Sequence, residues 1–167
     1  MHITDEQLST YKKQGFLIVE NFLSKAEQEA ALDGIFSHFA PPYERWAANN
    51  QENDTANQGL FPWDHSGLNH VTTHPDLVNA AERILGTREI RLGEGHLGMK
   101  YAGQEHNTNF HIDYGNNTLG PLIDPDDFMH LACFYCFDDV TIDTAPIRMV
   151  PNGHPDEEFV AMVVPGG

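Results

Sequence analysis

The hydrophobic pattern divides the chain in two. In the front part, apolar residues fall inside segments that begin and end with helix-capping signals. In the back part, they come as short pieces separated by turn residues. Thr4 followed by Asp5-Glu6-Gln7 is a capping box, which predicts a helix from about Asp5 to Gln14 stopped by Gly15. Phe16 to Val19 then reads as a short strand. Ser24 with Glu27 forms a second capping box, and its helix is expected to run to about His38, before Pro41-Pro42. Residues 41–74 carry the polar run Asn49-Asn50-Gln51 and then Phe61-Pro62-Trp63. They predict a long loop with room for one short helix, and loops of that length are usually functional. Pro75 suits the first position of a further helix, reaching Leu85 and ending at Gly86.

From Glu89 onward the apolar pieces are Ile90–Leu92, His96–Tyr101, Asn109–Asp113, His130–Asp138, Ile147–Val150 and Phe159–Val164. Pieces this short, bounded by Gly, Pro, Asn and Asp, read as strands of a sandwich or barrel. The expected class is therefore α+β, mainly β. A single domain is expected over 1–167, with a helical part at 1–88 and a strand-rich part at 89–167. Neither an internal repeat nor a low-complexity tract is visible.

Composition sharpens this only in places. The 167 residues include 40% hydrophobic ones, enough for a core, and ten prolines with fourteen glycines argue against a helix bundle. Twenty-five acidic residues against nine basic ones give a formal charge of −16, a field that repels nucleic acid and anionic membranes. The start of the chain shows no signal-peptide pattern and no apolar run is long enough to span a bilayer, so the cytoplasm is the expected compartment. The expected partner is a small-molecule substrate; oligomeric state is not legible. Cys133 and Cys136 do not make a disulfide framework, and CxxC on a strand points its ends to opposite faces, so both are expected to be buried core thiols.

The candidate chemistry lies in Asn109-Phe110-His111-Ile112-Asp113-Tyr114. Residues two apart on a strand share a face, so His111 and Asp113 project together while Ile112 turns away. An imidazole and a carboxylate at that spacing are two-thirds of a 2-His-1-carboxylate facial triad. Such a triad leaves coordination positions open on Fe(II) for a chelating cosubstrate and O₂. By itself the HxD tripeptide identifies little; its setting decides.

That setting resembles the phytanoyl-CoA dioxygenase (PhyH) family over almost the whole chain. The resemblance runs through Leu8-x-x-Tyr11-x-x-x-Gly15-Phe16-Leu17-Ile18-Val19-x-Asn21-Phe22-Leu23, through His96-Leu-Gly-Met-Lys-Tyr101, and through Phe110-His111-Ile112-Asp113. It closes on Thr144-Ala145-Pro146-Ile147-Arg148-Met149-Val150-Pro151-Asn152-Gly153-His154, which is similar to the family's Asn-Gly-Pro, apolar strand, Pro-Gly-Ser-His segment. It implies a double-stranded β-helix, or jelly roll, with helices packed on one side. It also implies oxidative decarboxylation of 2-oxoglutarate coupled to hydroxylation of a substrate. Under it His111 and Asp113 are Fe(II) ligands. Leu97 or Met99 lies where the family lines its 2-oxoglutarate site, and Phe134 matches an aromatic position near that cosubstrate.

The resemblance also implies a second histidine ligand on a late strand and, shortly after it, an arginine that pairs with 2-oxoglutarate through its guanidinium fork. Neither falls within residues 1–167, so the chain is expected to be a fragment lacking the last strands, with an open sheet edge, and to bind iron weakly by itself. His130 matches a non-ligand strand position and His154 a turn position. Two further readings stay open: an inactive jelly-roll binding module, and a metal-dependent cupin-type enzyme without 2-oxoglutarate. His65, His70 and His74 are expected to serve packing or surface roles or to touch substrate from a loop. His106 is at most a neighbour of the ligands. Arg148 is expected to face outward and cover the surface with its stem.

Overall fold

The computed structural model describes residues 2–39, 61–101, 109–111 and 130–163. Among them are four helices and one two-stranded hairpin: α1 Asp5–Gln14, α2 Lys25–His38, α3 Ser66–Thr72, α4 Pro75–Leu85, β1 Arg148–Met149 and β2 Val160–Ala161.

The helix ends follow the local chemistry of the chain. Thr4 Oγ1 accepts the Gln7 N–H at 3.1 Å, and Gln7 Oε1 accepts the Thr4 N–H at 2.8 Å. Ser24 and Glu27 repeat the exchange at the start of α2. These reciprocal bonds satisfy N–H groups that an isolated helix leaves unpaired. Gly15 and Gly86 close α1 and α4 in the left-handed region, at φ 87° and 70°. The short helix α3 occupies the segment expected to be mainly loop. It is capped by a histidine: Nδ1 of His65 accepts the Gly67 N–H at 3.2 Å.

The core lies between α2 and α3. Ala31 and Ile35 of α2 and Leu68 and Val71 of α3 are buried together with Leu23, Phe39 and Trp63. Two glycines permit the close approach. A Cβ on Gly67 would stand 2.3 Å from the carbonyl oxygen of Ala30, and one on Gly34 would stand 2.6 Å from Cγ of Leu68. Trp63 is fixed beside them from both ends. Its backbone N–H donates to Asn69 Oδ1, its carbonyl accepts from Asn69 Nδ2 (both 2.7 Å), and its indole N–H donates to Thr72 Oγ1 at 3.0 Å.

α1 buries none of its own residues. It is attached through its ends. Arg83 of α4 donates to the Ile3 carbonyl and the Asp5 carboxylate, and the Asn152 N–H donates to the Gln14 carbonyl at 3.0 Å. That last bond docks the turn after β1 onto an unpaired carbonyl at the C-terminus of α1.

In the back half, β1 and β2 pair antiparallel, with Arg148 opposite Ala161 and Met149 opposite Val160. Of the other described segments expected as strands, His96–Tyr101 holds one isolated bridge residue, Leu97, and none of them, nor Phe16 to Val19, forms a continuous ladder. Two of them nevertheless keep the side-chain alternation of a strand. Leu97 and Met99 pack on the helical core while their neighbours are exposed, and Tyr135 and Phe137 do the same. Alternation requires only extended backbone, whereas a ladder requires a hydrogen-bonded partner. Cys133 and Cys136 are both exposed, contrary to the expectation of core thiols. Tyr135 and Phe137 are the residues of that segment that pack on the helical core.

Candidate functional site

Of the two expected iron ligands, His111 lies among the described residues and Asp113 lies outside them. His111 is exposed, and its Nδ1 stands 2.8 Å from the Asn109 carbonyl oxygen. A carbonyl oxygen only accepts, so Nδ1 carries the proton and the lone pair resides on Nε2. This is the tautomer in which histidine binds a metal through Nε2, with the other nitrogen steadied by a backbone carbonyl. Phe110, next in the chain, is held against the hairpin. Its ring lies 5.9 Å from that of Phe159, and the Arg148 guanidinium sits over both rings, at 5.1 Å and 5.5 Å. Arg148 is exposed, as expected, and its charged end rests on aromatic faces that favour a cation.

The three positions expected near 2-oxoglutarate separate. Leu97 and Met99 turn toward the helical core, while Phe134 is 59% exposed on its segment. Phe134 is therefore not brought together with Leu97 and Met99. His130 is exposed; His106 lies outside the described residues. His154 sits in the turn after β1, its N–H on the Pro151 carbonyl and its Nδ1 donating to Glu158 at 2.7 Å. Its turn position matches the sequence reading.

A second constellation is formed by Glu27, His70 and His74. Glu27 is in the first turn of α2, His70 is in α3, and His74 is the N-cap of α4. Oε1 of Glu27 accepts from Nε2 of His70 at 2.8 Å and from Nε2 of His74 at 3.1 Å, while Oε2 accepts the Ser24 N–H. The bonds from His70 and from Ser24, with a smaller one from His74, hold the Glu27 carboxyl down at about 2. His74 is buried, and its Nδ1 accepts the Asp76 N–H at 3.1 Å. One carboxylate thus ties the start of α2 to the junction of α3 and α4. The sequence showed Glu27 as a capping residue and His70 and His74 as loop histidines. The signal it held was that both ends of the knot carry opposite ionisable character, but nothing in the spacing joins residues 27 and 70.

A pH prediction follows for Glu27. Its carboxyl is depressed in the folded state, so its contribution is fully present above the ordinary value of 4.5 and disappears as pH falls toward about 2. Glu27→Gln is expected to lower stability near neutral pH by about 2 kcal/mol, the loss of charge-assisted bonds. Urea unfolding is expected to show that gap between variant and parent closing below pH 4.5. A gap independent of pH would show that the carboxylate charge contributes nothing.

Comparison with known proteins adds the following. The family profile described as Phytanoyl-CoA dioxygenase (PhyH) matches residues 11–165. Two proteins named ectoine dioxygenase, from Bordetella bronchiseptica and Bordetella parapertussis, are each 24% identical to this chain over 172 residues, covering 96% of it and 52% of themselves. The chain thus spans about half the length of the curated relatives it matches. No solved structure matches significantly. No described helix is long and apolar enough to cross a membrane.

Proposed function

The chain belongs to the phytanoyl-CoA dioxygenase (PhyH) family, and on that premise we propose that it forms the front part of an Fe(II)- and 2-oxoglutarate-dependent dioxygenase that hydroxylates a small organic molecule. The expected framework is the family's jelly roll, with the helices on one side. His111 and Asp113 provide one imidazole and one carboxylate of the iron site. The observation that carries this reading is the His111 Nδ1–H bond to the Asn109 carbonyl, which presents the Nε2 lone pair for coordination. Bound iron would supply the redox chemistry, activating O₂ as 2-oxoglutarate is decarboxylated.

The chain's own residues contribute orientation and shielding. The Asn109 carbonyl holds the His111 ring. Phe110, Phe159 and Arg148 fix the segment that carries it. Leu97 and Met99 anchor their segment to the helical core and so support the cosubstrate side of the site from behind. The substrate is a small molecule rather than a nucleic acid or membrane component, in keeping with the charge of −16. Ectoine, named in both relatives, is the first compound to test.

The test is an anaerobic titration with Fe(II) and 2-oxoglutarate, using the protein expressed from its complete reading frame. A visible charge-transfer band that appears only with both additions is the expected result. Iron binding with no band on adding 2-oxoglutarate would favour a cupin-type metal enzyme, and no iron binding at all would favour a binding module.

A further inference from the structure

We propose that Glu27, His70 and His74 form a second metal site, one that binds a divalent ion of the zinc class. Their ligand atoms, one carboxylate oxygen and two imidazole nitrogens, all lie within 4.8 Å of one another. They come from three helices: the first turn of α2, the body of α3 and the cap of α4. Bonds of about 2.0–2.2 Å place tetrahedral zinc ligands roughly 3.3 Å apart. The observed separations from Glu27 Oε1 are 2.8 Å and 3.1 Å, which must open by a few tenths of an ångström, and the two imidazole nitrogens, within 4.8 Å of one another, must settle to the same spacing.

The surroundings suit a cation. Oε2 of Glu27 remains anchored on the Ser24 N–H, which orients the carboxylate from behind. His70 is 51% exposed and Glu27 26%, so solvent can fill the fourth coordination position. The strongly negative chain raises the local concentration of divalent ions. Imidazole with carboxylate is a donor set that zinc accepts readily.

Both imidazoles donate from Nε2 to Glu27, so each must move that proton to Nδ1 to bind an ion. Among the described residues no hydrogen bond opposes that shift in His70, but one does in His74. Nδ1 of His74 accepts the Asp76 N–H, so the His74 proton sits on Nε2, where the metal must go. Binding shifts that proton to Nδ1 and breaks the cap. Loss of one neutral hydrogen bond weakens affinity by about tenfold relative to the same donor set without the cap.

This site shares no residue with the His111–Asp113 pair, so the two are separable by mutation. Calorimetric titration of the metal-free protein with Zn(II) is expected to show one equivalent that survives His111→Ala and His154→Ala. His70→Ala and Glu27→Gln are expected to weaken that equivalent at least tenfold. Co(II) in the same site is expected to give the intense visible bands of a four-coordinate ion, absent in His70→Ala. His70 is half exposed and, among the described residues, its side chain bonds only to Glu27, so its variant is expected to keep the parent circular dichroism. If Zn(II) binding is unchanged in both His70→Ala and Glu27→Gln, or is lost with His111→Ala alone, the proposal is overturned and the cluster is solely a hydrogen-bonded strut.

Discussion

Gly67→Ala is expected to destabilise the protein by about 2–3 kcal/mol, near the upper part of the range for overpacking a core. The added methyl would stand 2.3 Å from the Ala30 carbonyl oxygen and 2.6 Å from its carbonyl carbon. Both are backbone atoms of α2, so no side-chain rotation relieves the clash. The helices must separate, and α3 carries Leu68, 1% exposed, and Val71 into the shared core. Helix propensity works the other way, since alanine is favoured over glycine by up to about 1 kcal/mol in a helix interior. The steric effect wins because it disturbs a whole helix interface. Gly86→Ala is the matching control. A Cβ there meets nothing within 4 Å, so its cost of about 1 kcal/mol comes only from the left-handed backbone at φ 70°. Urea unfolding of both variants separates the two effects. If Gly67→Ala proved as stable as the parent, contact through Gly67 would not set the spacing of α2 and α3.

His111→Ala is expected to lower Fe(II) affinity in the presence of 2-oxoglutarate by about a hundredfold or more, since even the supports of metal ligands are worth 10–100-fold. The charge-transfer band and any substrate-dependent decarboxylation of 2-oxoglutarate should disappear with it. Thermal stability should change little, because His111 is exposed. That combination separates a metal ligand from a structural residue. Asp113→Ala is expected to behave alike. His154→Ala is expected to leave iron binding intact, because His154 bonds to Glu158 within its own turn. Equal iron affinity in His111→Ala and the parent would remove the HxD pair from the metal site.

The helix boundaries were largely legible in the sequence because capping is local. Thr4 with Gln7, Ser24 with Glu27, Pro75, Gly15 and Gly86 each act within one turn of themselves, and each stands where that chemistry put it. The helix α3 was harder to see. Its cap is His65, whose imidazole does the work usually given to Ser, Thr, Asp or Asn. The cysteines differ from expectation because alternation tells which residues share a face but not how far along the segment the helices cover it. Cys133 has the parity of Tyr135 and Phe137 yet is exposed, and Cys136 has the opposite parity. Tyr135 and Phe137 pack on the helices, with the Tyr135 hydroxyl bonded to the Val71 carbonyl at 3.0 Å.

The same distinction holds for the sites. The family could be read from an ordered series of short motifs along the chain, and the HxD candidate from residues close together, where backbone geometry alone sets the spacing. The joining of Glu27 to His70 and His74, 43 and 47 residues away, and the stacking of Arg148 on Phe110 and Phe159, could not. Those contacts exist because Gly34 and Gly67 let two helices approach and because a turn docks on the end of α1. Long-range packing of that kind depends on the whole set of burial energies, and no short stretch of sequence contains it.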